Sequence, residues 1–197
     1  ADAEPLIPQT ALMGMSKPMV FDGVDDYVAS GRSSVTVSEF TFSGWVNATA
    51  IIHGYTAIFS ARAGTSNDYS SGMTIDFYQD AGQANISKIN VEGVGFTQDT
   101  DMLANNISFG ELFHLVVTLS TTGSAVKCYI NGALSDSHSN ISTVAINLQN
   151  IQIGARYYTS AVKGFFSGII NEVSIFDTAL TLAQVQELFN DGVALDA

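Results

Sequence analysis

From Met19 onward the chain alternates apolar with polar side chains in short runs, and this period of two is the strongest constraint on its fold. Successive side chains of a strand point to opposite faces, so each run yields one face for a core and one for its surroundings. In FTFSGWV, Phe40, Phe42 and Gly44 alternate with Thr41, Ser43 and Trp45. In FHLVVTL, Phe113, Leu115, Val117 and Leu119 share a face, as Val126, Cys128 and Ile130 do in VKCYI. TAIFSA (56–61), MTIDFY (73–78), ISKINVE (86–92), LQNIQIG (148–154) and FFSGIINEVSIF (165–176) continue the pattern. About ten strands joined by Gly, Asn, Ser and Asp turns predict an all-β sandwich or barrel.

Local signals add detail. Asn131-Gly132 accepts the two positive φ angles of a type I′ turn, and Thr121-Thr122-Gly123 supplies the turn before it, so three successive antiparallel strands are expected. One short helix is predicted near the C-terminus, with Leu182, Val185, Leu188 and Phe189 on one face. Thr181 and Gln184 have capping-box spacing, and Gly192 is placed to end the helix. Pro5, Pro8 and Pro18 are the only prolines, so residues 1–18 read as an extended arm or linker and 19–197 as one domain.

A single domain of 197 residues buries about 70% of its unfolded surface, enough for a core without disulfides or metals. Cys128 is the one cysteine, and its place on an apolar face marks it as a buried thiol. Seven Lys+Arg against nineteen Asp+Glu give a net charge of −12. That charge repels phosphate backbones and anionic membranes, excludes nucleic acid as a partner, and attracts cations, calcium first. No apolar run approaches the ~20 residues of a membrane span, so no membrane insertion is expected. The opening Ala1-Asp2-Ala3-Glu4-Pro5 has neither the basic nor the apolar region of a secretion signal. With charged residues at 13%, the surface is solvated by Ser, Thr, Asn and Gly, as in extracellular, cell-surface and virion-surface β-proteins.

The order FDGVDDYV (21–28), FTFSGWV (40–46), HLVVT (114–118), YING (129–132), IQIGAR (151–156) and GIINEVSIFDTALTLAQVQEL (168–188) resembles the laminin-G-like, concanavalin A-like jelly-roll family over about residues 19–192. The opening FDG-x-DDYV and the closing strand-plus-helix segment are its specific parts. The resemblance implies a two-sheet antiparallel jelly-roll sandwich with ligands on the concave face or rim loops, often with a calcium ion. It further implies a structural calcium joining an N-terminal segment to a carboxylate on the last strand. The matching position is Asn171, where the family usually has Asp, so the site lacks a charge.

Asp22, Asp25 and Asp26 crowd three carboxylates around Gly23, a set suited to calcium and equally to turn formation. Asp99 and Asp101 form a second acidic pair in a polar stretch. Tyr55, Tyr69, Tyr157 and Tyr158 lie in Gly/Ser/Asn-rich loops, where exposed rings stack on sugars, and Arg156 stands ready to add hydrogen bonds to hydroxyls. Trp45 reads as a packed residue. Ser137 and His138 are adjacent on a strand and point apart, so they form no nucleophile–base pair. The E-x-D-x-x-E strand that retaining glycosidases of this fold resemble one another in is missing from the sequence.

The leading expectation is therefore a non-catalytic recognition module, outside a cell or on a particle, binding glycan or a surface protein with calcium shaping its loops. The alternative is a structural decoration or fibre-head protein whose residues 1–18 dock on neighbouring subunits. A carbohydrate-active enzyme with dispersed carboxylates is the third.

Overall fold

The computed structural model describes residues 13–15, 18–31, 33–52, 54–78, 85–96 and 100–190. Its first strands are β1 (Met13–Met15), β2 (Met19–Asp22), β3 (Val28–Ser30), β4 (Thr36–Val37), β5 (Glu39–Ala50) and β6 (Tyr55–Ala61). A short helix α1 (Asp68–Ser71) precedes β7 (Met73–Tyr78), β8 (Asn85–Gly93) and β9 (Thr100–Ser108). The meander β10 (Phe113–Ser120), β11 (Ala125–Ile130) and β12 (Ala133–Ser139) follows. The chain then runs through β13 (Ile146–Asn147), β14 (Ile151–Ile153), β15 (Arg156–Tyr158), β16 (Ala161–Lys163) and β17 (Ser167–Phe176) to α2 (Leu182–Phe189).

Two large antiparallel sheets result. Sheet I has the order β1-β17-β5-β10-β11-β12, with β2 also pairing along β17. Sheet II has the order β3-β14-β6-β7-β8-β9. They meet over one buried core in which the Phe59 ring of sheet II lies 5.2 Å from Phe40 and 5.7 Å from Phe42 of sheet I. The expected jelly-roll sandwich is what forms. Met13–Met15, within the segment expected to be an arm, pairs with Val173–Ile175 of β17. Residues 1–12, 16 and 17 of that segment lie outside the described residues.

The outer face of sheet I is not left to water. Thr41, Ser43 and Trp45 of β5 and His114 of β10 are buried beneath α2 and the segment leading to it. Val185 and Leu188 of the helix join Val116, Tyr129, Phe176 and Leu180 in a second apolar cluster. The predicted capping box forms: Thr181 accepts from the Gln184 N–H while the Gln184 side chain accepts from the Thr181 N–H. Leu182 departs from the predicted apolar face and is exposed. The C-cap is Asn190, at φ 45°, and Gly192 lies outside the described residues. Asn131 and Gly132 take φ of 50° and 74°, the pair of left-handed values that the turn requires. No helix among the described residues is long and apolar enough to cross a membrane.

Candidate functional site

On sheet II the outer face carries polar residues, as alternation demands, yet those at its centre, Thr74, Asp76, Asn90 and Glu92, are buried. Asp76 of β7 stands opposite Ala57 and Asn90, and Glu92 of β8 opposite Thr74. The hairpin β15–β16 and helix α1 lie over this face. They bring Arg156 and Asp68 down onto it, and Arg156 is only 2% exposed.

There Arg156 forms a dense ionic cluster. Its Nε donates to Asp68 Oδ2 at 3.0 Å and its Nη2 to Asp68 Oδ1 at 2.9 Å, a bidentate pair. Nη1 donates to Asp76 Oδ2 at 2.8 Å, and Nη2 also reaches Glu92 Oε1. The expectation that Arg156 offers its donors to a ligand is thus corrected: carboxylates from α1, β7 and β8 consume them. The guanidinium instead supports the rings above, 5.3 Å from the centroid of Tyr55 and 5.3 Å from that of Tyr158.

Those two rings wall a pocket of about 300 Å³, lined by Gly54, Tyr55, Arg156, Tyr158, Lys163, Gly164 and Phe165. Tyr55 and Tyr158 are each 38% exposed, with centroids 6.5 Å apart and planes inclined by 32°. Tyr69, 37% exposed, extends the aromatic surface, 5.8 Å from Tyr158. Lys163 is exposed, donates to Thr159 Oγ1 and lies 5.9 Å from the Tyr158 ring. Gly164 sits at φ 62°, and a Cβ there would collide with the Tyr55 carbonyl oxygen. Ala57 donates to the Gly164 carbonyl at 2.8 Å, which clamps this loop to β6.

The other expected positions divide. Tyr157 points away from the pocket, half-buried under the Arg62 guanidinium 3.7 Å from its ring. Asp22, Asp25 and Asp26 do converge, each offering an oxygen within 4.8 Å of the others, all exposed. Asp22 Oδ1 accepts from the Val24 N–H at 2.7 Å, and Asp26 Oδ2 from the Asp22 N–H at 3.2 Å. This geometry fits three of the six to eight oxygens that calcium takes. Asn171 does not join them: β17 pairs with Asp22 through Ser167, which places Asn171 roughly 13 Å further along the strand. Its Oδ1 accepts from the Glu172 N–H instead. Asp101 pairs with Lys88 at 2.8 Å, and Asp99 lies outside the described residues.

Sequence reasoning missed Lys163, Gly164 and Phe165 as pocket residues, and Asp68, Asp76 and Glu92 as the anchors of Arg156. The one available signal was Asp76, a carboxylate flanked by Ile75 and Phe77 inside a strand.

The sequence profile of the concanavalin A-like lectin/glucanases superfamily matches residues 22–186. No curated protein matches the sequence. Among solved structures, a native heptameric SAP-like pentraxin from Limulus polyphemus superposes with a TM-score of 0.70 at 16% identity, over 87% of this chain and 81% of that one. A proposed carbohydrate binding protein from Bacteroides ovatus gives 0.67 at 14%, over 93% of this chain, which spans about half (49%) of that protein. The CBM40 domain of a Ruminococcus gnavus IT-sialidase, bound to α2,3-sialyllactose, gives 0.59 at 13%, over 78% and 83%. At such identities the likeness is one of fold.

Proposed function

Because this chain belongs to the concanavalin A-like lectin/glucanases superfamily, we propose that it is a non-catalytic recognition module whose glycan ligand docks between Tyr55 and Tyr158. The observation that carries this reading is the pair of exposed rings walling a pocket of about 300 Å³. Sugar rings present apolar C–H faces that stack on aromatic side chains. The volume lies at the small end of ligand sites, suited to one or two sugar residues. Lys163 supplies a cationic donor at the rim. The sialyllactose held by the Ruminococcus gnavus domain supports a glycan as the class of ligand.

The carboxylates beneath the pocket support a role without catalysis. Glycoside hydrolysis needs two carboxyl groups facing the scissile bond, and Asp68, Asp76 and Glu92 are turned onto Arg156 instead. The setting we propose is extracellular or on a cell or particle surface. Calcium, in this reading, is held by Asp22, Asp25 and Asp26, where it would neutralise the crowded loop.

A glycan array probed with the wild-type chain, with and without chelator, tests the proposal together with Tyr55→Ala and Tyr158→Ala. Each substitution is expected to weaken retention by about tenfold through lost stacking, and the chelator to weaken it further. An array blank for the wild type, or unchanged by both substitutions, would sink the assignment. Indifference to chelator sinks the calcium alone.

A further inference from the structure

Glycan stacking uses the rings but leaves unexplained the charges under them. Three buried or nearly buried carboxylates, Asp68, Asp76 and Glu92, converge on the single guanidinium of Arg156. One cation cannot balance three anions, and burial makes the surplus costly. Beside Asp76, the buried Asn90 donates from Nδ2 to Asp76 Oδ1 at 3.3 Å, while Asn90 Oδ1 has no partner. A proton on Asp76 addresses the first of these difficulties and leaves one Asn90 amide atom unpartnered. It removes one negative charge. With the Asn90 amide turned over, a change of atom labels and not of shape, the Asp76 O–H donates to Asn90 Oδ1.

We propose that Asp76 carries this proton when the pocket is competent, and that Arg156, positioned by the protonated cluster, sets the spacing of Tyr55 and Tyr158. The contacts run in sequence: Asp76 holds Nη1 at 2.8 Å, and the guanidinium carbon lies 5.3 Å from each ring centroid. Ionising Asp76 puts a full negative charge on the Nη1 side and draws the guanidinium down, away from the rings. The groups facing Asp76 are Arg156 from β15, Asp68 from α1, and Glu92 and Asn90 from β8. Further along β8 and β9 the Lys88–Asp101 pair balances itself, and Lys163 of β16 stands at the rim. Burial, opposed by Arg156 and reinforced by Glu92 and Asp68, pushes Asp76 up to about 8.

The functional consequence rests on the glycan reading; the proton and its effect on the rings do not. Carbon-13 NMR of the aspartate carboxyls and tyrosine rings, titrated from pH 6 to 9 without ligand, separates the two. Asp76 is expected to titrate with a midpoint about 8, and the Tyr55 and Tyr158 rings to shift with the same midpoint. In Asp76→Asn, a neutral isostere, the ring transition disappears. An Asp76 already ionised at pH 6, or rings unmoved while Asp76 titrates, overturns the inference. On the glycan array, wild-type retention should fall about tenfold between pH 6.5 and pH 9, since only about a tenth of molecules keep the proton at the higher value. In Asp76→Asn the ratio of the two retentions falls to about one. Equal wild-type retention at both values overturns the coupling and leaves the glycan site standing. A blank array beside an intact ring transition defeats the glycan site and leaves the proton-positioned Arg156.

Discussion

Tyr157 and Tyr158 are neighbours with opposite fates, because successive residues of a strand face opposite sides. Tyr158 walls the pocket, and Tyr157 lies half-buried beneath Arg62. Arg156 shares the side of Tyr158 but ends deeper, held by α1, β7 and β8. Gly164 serves the pocket through backbone alone: its φ of 62° and its proximity to the Tyr55 carbonyl leave no space for a side chain. Gly164→Ala should therefore cost about 1–3 kcal/mol, seen as a lower Tm, and should abolish glycan retention while the protein remains folded well below that temperature. Full retention with an unshifted Tm would show that this loop does not set the pocket.

Among the elements, α2 tests how far local chemistry matters. Its eight residues are too few for an isolated helix in water, so packing on Val116 and Tyr129 and the Thr181–Gln184 box must sustain it. Thr181→Ala should lower stability by about 1 kcal/mol in urea denaturation, with no change in glycan binding because the helix lies on the opposite sheet. Most of the long strands, the Asn-Gly turn and this capping box could be read from sequence, because each is encoded within a few residues; β9 and β15, expected as a polar stretch and a loop, could not. Layers added outside the sheets could not. Thr74, Asp76, Asn90 and Glu92 occupy positions that alternation assigns to solvent, and only the arrival of α1 and β15 buries them. Arg156 meets its partners across 64 to 88 positions of chain, and no local pattern reports a contact at that range. The separation of Asn171 from the three aspartates was hidden for the same reason, since it depends on the register between β2 and β17.

For the whole molecule, two buried groups on opposite sheets give stability a distinctive pH profile. Asp76 is raised to about 8, so between about 4 and 8 the folded state holds a proton that the unfolded chain releases, and stability falls as pH rises. His114, bonded to Ser43 at 2.9 Å, is pushed down by burial to about 4. Between 4 and 6.5 the unfolded chain binds its proton and the folded state does not, so this group makes stability rise with pH. The two slopes cancel from pH 4 to 6.5, and from 6.5 to 8 Asp76 acts alone, at roughly 1.4 kcal/mol lost per pH unit. Urea denaturation across this range should give a plateau followed by a decline, and Asp76→Asn should remove the decline. A wild-type profile rising from 6.5 to 8 would contradict the burial of a protonated Asp76. The pairing of β17 carries a different consequence. This strand, which follows every other described strand in the chain, lies between β5 on one side and β1 and β2 on the other. A chain still emerging from the ribosome therefore has β1 and β2 without their partner and this edge of β5 bare until β17 is made. Completion of the sandwich waits on the synthesis of β17, and until then an open strand edge has to be kept from other chains.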